Sequence, residues 1–138
     1  MLDRIHHVLL VMPPGGEDAV RRYYGDILGT EELEKPPVLA ARGCAWFRSG
    51  SLELHLGVEE HFQPQREAHP GIVVTQIEGL AARLEGAGAK VEWDEGFPGF
   101  RRFYSDDPLG NRLDFFGADS VAGYRAGPLP EDGHRTLR

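Results

Sequence analysis

Residues 101–116 read RRFYSDDPLGNRLDFF: a strand, a tight turn and a second strand in sixteen positions. Residues 101–105 are β-formers. The run 106–111 is turn chemistry, because Pro108 presets φ and Gly110 or Asn111 accepts a positive φ. In the strand that follows, Leu113 and Phe115 share one face, while Arg112, Asp114 and Phe116 share the other. One apolar face calls for a covering layer. The opposite face carries a carboxylate.

The same grammar occurs upstream. Residues 44–49 and 52–57 form a hairpin about Gly50-Ser51, with Leu52, Leu54 and Leu56 on one face and Glu53 with His55 on the other. Before this hairpin stands RIHHVLLVM, residues 4–12, a nearly continuous apolar run expected to be a strand buried on both faces or nearly so. GEDAVRRYYGDILG, residues 16–29, follows with Val20, Tyr23, Tyr24, Ile27 and Leu28 at helical spacing and Gly29 as its stop. A further short strand falls at 31–34 or at 38–40. The pattern then restarts after the polar stretch 58–68. HPGIVVT at 69–75 is a strand. Ile77, Leu80, Ala81 and Leu84 mark a helix closed by Gly88, and 90–94 and 101–105 are further strands. His7 and His69 lie 62 positions apart, Gly29 and Gly88 59, and Glu53 and Asp114 61. Three landmarks at similar offsets indicate a duplicated strand–helix–three-strand unit. The expected fold is therefore α+β, tandem βαβββ modules making a curved mixed sheet around a cleft, with helices outside. The modules span 1–57 and 69–117, with a linker at 58–68. Residues 118–138 read as an irregular tail, in which Tyr124, Leu129 and Leu137 leave room for an arm that packs on a partner subunit.

With 138 residues and 41% apolar content, the chain can bury a core without a staple. One cysteine, Cys44, excludes an intrachain disulfide and suits a reducing compartment, so a cytoplasmic location is the expectation. No membrane association is expected, because no apolar run approaches a membrane span. A net charge of −7 and only two lysines, Lys35 and Lys90, argue against nucleic acid.

Candidate chemistry lies where imidazole and carboxylate recur together. His7 pairs with Glu53, and His69 with Asp114. Two imidazoles and one or two carboxylates suit a divalent transition metal while leaving positions open for substrate. Taken singly, each has a plain alternative: His7 as a strand cap, His69 in a turn before Pro70, and the acids on solvated sheet faces. His55 could be a ligand, an acid–base group or a partner that orients one. Arg102 and Tyr104 share a strand face and suit a substrate carboxylate or phosphate, although the sequence does not say whether they or Arg101 and Phe103 face the cleft. Trp46 could line an aromatic pocket or pack in the sheet. Cys44 reads as a small packed residue, and His61 and His134 lack chemical context.

The βαβββ repeat, the IHHVLLV start, the RYYGDILG helix, the AHPGIVV restart and the DPLGNRLDFF ending together resemble the vicinal oxygen chelate superfamily over about residues 4–117. That superfamily includes glyoxalase I, extradiol dioxygenases, fosfomycin-modifying enzymes and metal-free bleomycin-binding proteins. The resemblance implies metal ligands at His7, Glu53, His69 and Asp114, with Asp114 one methylene shorter than the glutamate usual there. It also implies a homodimer. His7, His69 and Asp114 alone would make a facial triad suited to Fe; adding Glu53 favours Ni, Zn, Mn or Co. The expected activity is metal-dependent lyase, isomerase or dioxygenase chemistry on a small substrate held by adjacent oxygens. Glu53 and His55 would be the catalytic groups, and Trp46, Arg102, Tyr104 and Phe116 the substrate contacts. The alternative is a non-catalytic drug-sequestering protein using the same cleft.

Overall fold

The computed structural model describes residues 1–123 and 127. The first four strands are β1 (Val8–Met12), β2 (Glu31–Leu33), β3 (Ala45–Ser49) and β4 (Leu52–Val58), in the order β1-β4-β3-β2. The second four are β5 (Gly71–Val74), β6 (Glu92–Asp94), β7 (Arg102–Asp106) and β8 (Arg112–Gly117), in the order β5-β8-β7-β6. In each sheet the first strand lies parallel to the last, and the remaining pairs are antiparallel. A parallel neighbour requires a crossover, which supplies the covering helix. That helix is α1 (Glu17–Val20) with its continuation in the first half, and α3 (Ile77–Gly86) in the second. The α+β class and the repeated module follow from this identity of strand order.

Of the two places expected for a short strand, the first holds β2, while residues 38–40 lie in α2 (Pro37–Ala40), where Pro37 opens the helix at a position whose N–H needs no partner. Two elements differ from the sequence reading. The expected α-helix through Ile27 is α only to Val20. Arg21–Ile27 is π-helical, and Leu28 N donates to Tyr23 O, five residues back, at 2.9 Å. The tail begins with α4 (Ala118–Ala122) rather than irregular chain. Tyr124, Leu129 and Leu137 lie outside the described residues.

β1 also departs from the expected double burial. Leu10 and Met12 are in the core, but Leu9 is 59% exposed. Its counterpart Val73 on β5 is 55% exposed. One face of each sheet packs against helices, and the other is open.

The two halves share one core, drawn from Leu54 and Leu56, from Leu113 and Phe115, and from the helical Tyr24 and Leu84. They are locked together by the β7–β8 turn. Asp107 Oδ1 accepts from the backbone N–H of Leu109 and of Asn111, each at 2.9 Å. Its Oδ2 accepts from Tyr24 Oη–H at 2.7 Å and from Asn111 Nδ2 at 2.9 Å. Asn111 Nδ2 also donates to Val11 O at 2.8 Å, and its Oδ1 accepts from Gln65 N at 2.9 Å. Gly110 takes φ +94° with Pro64 against it, which explains why this turn needs glycine there.

Candidate functional site

Strand register gathers the first group of candidates on the open face of the β1–β4 sheet. Leu9 pairs with His55 across β1–β4, and Trp46 pairs with His55 across β3–β4. His7 stands one residue before β1, so its ring meets His55. The His7 and His55 rings stack at 4.0 Å between centroids, and Trp46 stacks on the other side of His55 at 4.2 Å. His55 Nε2 and Glu53 Oε1 are 2.8 Å apart, a hydrogen bond in which the imidazole N–H donates to the carboxylate. This bond is the main reason the Glu53 carboxyl titrates below its ordinary range. His7 Nδ1 lies 2.9 Å from His6 Nδ1, so one of these nitrogens carries the proton that the other accepts. Burial first, then the neighbouring His55 and His6, push the His7 imidazolium pKa down. The neutral ring is the form that can ligate a metal.

The second group lies on the open face of the β5–β8 sheet. Gly71 pairs with Asp114, and Tyr104 with Asp114, so His69 just before β5 comes up beside the carboxylate. His69 Nδ1 is 3.0 Å from Arg66 O. A carbonyl only accepts, so Nδ1 carries the proton, and the neutral ring presents its lone pair at Nε2. That Nε2 is 3.9 Å from Asp114 Oδ2. Asp114 is 3% exposed, and its Oδ1 has no hydrogen-bond partner among the described residues. Burial raises the Asp114 pKa, and the charges of Arg102 and His69 oppose the shift without cancelling it.

Arg102 and Tyr104 do face this open side, with Phe103 in the core instead. The guanidinium is committed to protein carboxylates. Arg102 Nη1 donates to Asp114 Oδ2 at 2.9 Å, and Nη2 to Asp94 Oδ1 at 3.2 Å. The rings of Tyr104, Phe97 and Phe116 stand around it at 5.0, 5.3 and 5.6 Å. Its remaining Nε is buried without a partner. A substrate anion would have to displace Asp114 or Asp94 to reach this cation, so the geometry makes Arg102 a holder of Asp114 rather than an open anion receptor.

The four ligand candidates therefore meet as two pairs. His7 joins Glu53 and His55 on one sheet, and His69 joins Asp114 on the other. Among the described residues, no group of three histidine, cysteine or acidic side chains is arranged to hold a metal ion. The donor chemistry nonetheless fits a metal in the second pair, where a buried carboxylate with one oxygen unpartnered among the described residues lies beside an imidazole whose proton is fixed on the far nitrogen. Sequence reasoning missed Asp94, Phe97 and His6. Asp94 opposes Arg102 only in the β6–β7 register, which the intervening residues 95–101 conceal. His6 was adjacent to a candidate, and that was its only signal.

Paired βαβββ modules with imidazole and carboxylate at the edges of two open sheet faces define the vicinal oxygen chelate fold. A glyoxalase family protein from Bacillus anthracis superposes with a TM-score of 0.82 at 39% identity, covering 85% of this chain and 96% of that one. The chain belongs to the glyoxalase family of that superfamily. A lactoylglutathione lyase from Agrobacterium tumefaciens shares the fold with a TM-score of 0.66 and 18% identity, covering 89% of this chain and 98% of that one. So does a fosfomycin resistance protein from Mesorhizobium loti, with a TM-score of 0.65 and 12% identity over 86% of this chain and 94% of that one. No family model matches the sequence, and no curated protein is significantly similar to it.

Proposed function

We propose that the chain is a metal-dependent enzyme acting on a small substrate through two adjacent oxygens, as a lyase, isomerase or dioxygenase. The metal donors would be His7, His69 and Asp114, and the donor set would be completed between two copies of the chain. The observation that carries this reading is the Asp114 carboxylate, whose Oδ2 lies 3.9 Å from His69 Nε2 and whose Oδ1 finds no hydrogen-bond partner among the described residues. A buried carboxylate oxygen without a donor is a cost of about 1–3 kcal/mol or more that a bound cation removes. A divalent transition ion bound there would supply Lewis-acid polarisation of the substrate oxygens.

The chain's own groups account for the rest. Glu53 is ionised at neutral pH and holds His55 through one oxygen, leaving Oε2 to take a proton from a substrate carbon. His55, clamped between Trp46 and His7, keeps that carboxylate oriented. Trp46, Tyr104 and Phe116 would offer flat apolar walls to the substrate body. Arg102 positions Asp114 and keeps its charge tolerable in a buried setting.

One observation favours a second reading, a metal-free binding protein: the guanidinium of Arg102 already supplies a cation to Asp114. Metal analysis of the freshly purified protein, alongside His7→Ala and His69→Ala, separates the two. Near-stoichiometric transition metal that both substitutions abolish supports the enzyme. Metal-free protein whose thermal stability is unchanged by chelator overturns it in favour of the binder.

A further inference from the structure

A cavity of about 490 Å³ lies between the π-helical turn, the residues after α3 and the β7–β8 turn, lined in part by Ala19, Arg22, Tyr23, Ile27, Ala89 and Lys90. None of the metal-donor or catalytic candidates lines it. Its volume falls within the roughly 300–1,000 Å³ of small-molecule sites. Tyr23 is 3% exposed, and its hydroxyl has no hydrogen-bond partner among the described residues.

Tyr23 and Tyr24 both fall on the inward face that their spacing with Val20 and Ile27 predicts, and both are buried, with rings 4.9 Å apart. Among the described residues Tyr24 finds an acceptor, on Asp107, and Tyr23 does not. Asp107 cannot serve Tyr23 as well, because its two oxygens already receive four hydrogen bonds, about the capacity of a carboxylate. Burial, with the charges of Asp107 and Asp106 behind it, holds the Tyr23 phenol neutral and therefore a donor. No described residue accepts from this hydroxyl, so a ligand in the cavity that Tyr23 lines would supply what it lacks.

The charges on the cavity wall indicate which acceptor. Its two acids are already occupied, Asp107 as above and Asp106 by Arg66 at 2.7 Å. Arg22 forms no ion pair among the described residues, and Lys90 has only Glu92 at 3.8 Å. The positive groups are thus the available ones. Ala19, Ile27, Ala87, Ala89 and Pro108 make the remaining wall largely apolar.

We propose that this cavity is a second ligand site, separate from the sheet faces, which takes a small monocarboxylate with an apolar body. The carboxylate would meet Arg22 and Lys90, and a ligand oxygen would accept from the Tyr23 hydroxyl. Benzoate is a suitable probe, with benzyl alcohol as its uncharged counterpart, followed by amide chemical shifts of the isotope-labelled protein. Benzoate is expected to shift the amides of Ile27, Gly88 and Ala89 saturably, and benzyl alcohol to do so at least about fivefold more weakly. Tyr23→Phe and Arg22→Gln should each weaken benzoate about fivefold or more, the value of one hydrogen bond to a charged group. Tyr23→Phe should leave the melting temperature unchanged or higher, since no internal bond is lost, so any weakening is not a folding defect. His7→Ala and His69→Ala should not alter the titration, which keeps this test apart from the metal site. Absence of saturable shifts at these amides, or affinity in both cavity variants equal to that of the parent, overturns the proposal.

Discussion

Asn111 illustrates how much one side chain carries in this fold. It is fully buried, and its amide joins Val11 of the first half, Gln65 of the linker and Asp107 of the second half. Asn111→Ala takes one bond each from Val11 O, Gln65 N and Asp107 Oδ2 and leaves a cavity, so urea unfolding should show a loss of about 2–4 kcal/mol. Tyr24→Phe removes one bond to the same carboxylate and should cost about 1.5–3 kcal/mol. If both variants unfold like the parent, the turn is not the lock between the halves. The first open face also predicts a pH response. His7 titrates below its ordinary value of 6.5, so the unfolded chain binds more protons than the native chain just below that pH. Stability on its account is complete above pH 6.5 and falls as the pH drops toward the lowered native value. Glu53 titrates below its ordinary 4.5, so its contribution is present above pH 4.5 and is lost as the pH falls through the native value. Asp114 acts in the opposite sense, because its raised native pKa makes protonation on acidification favour the folded chain. Urea midpoints across pH 4 to 7 should therefore decline on acidification less steeply between pH 6.5 and 5 in His7→Gln, and less steeply below pH 4.5 in Glu53→Gln. Slopes identical to the parent would contradict the assigned contacts.

At the scale of elements, the helical segment 17–29 supplies a paired test. Gly25 lies in the π turn with an ordinary φ, and an added Cβ would meet only Phe47 Cε1 at 3.7 Å, a normal contact. Gly25→Ala should stabilise by about 0.5–1 kcal/mol through lost freedom of the unfolded chain. Gly29 holds φ +73°, and Gly29→Ala should destabilise by about 1–2 kcal/mol. Thermal melts of the two variants should move in opposite directions. The sequence made Gly29 legible as a stop and Gly110 as a turn, because both signals are local and have one physical meaning. It made the alternation of β4 and β8 legible for the same reason, and with it the shared face of Glu53 and His55. The π turn was hidden, since helical periodicity over one and a half turns does not separate 3.6 residues per turn from a wider pitch. A contact from a distant element meets this segment too: Arg83 on α3, whose Nη2 donates to Asp26 O at 3.2 Å. The partners of Arg102 were hidden likewise, because Asp94 and Phe97 reach it through a hairpin register that no residue pattern announces.

For the whole molecule, the open sheet faces are the feature that most needs explaining. Leu9 and Val73, large aliphatic residues at corresponding places in the repeat, are both more than half exposed, and each lies on the sheet face that carries half of the proposed donor set. Burying such residues against another surface is worth about 1.5–3 kcal/mol apiece, an appreciable drive toward association. If the β1–β4 face of one copy covers the β5–β8 face of another, twofold symmetry generates two equivalent sites, each with His7 from one chain and His69 with Asp114 from the other. This arrangement makes a prediction that a site within one chain cannot share. His7→Ala and His69→Ala are each expected to bind no metal as homodimers. Co-expressed and randomly paired, about half of the dimers are mixed, and each mixed dimer has one complete site and one broken at both histidines. Metal should therefore return to about a quarter of all sites, and to about half of those in mixed dimers isolated by two affinity tags. A site within one chain is defective in every molecule of that mixture and regains nothing. Metal absent from tagged mixed dimers, when the parent protein binds it, would remove the second copy from the site while leaving the ligand residues themselves intact.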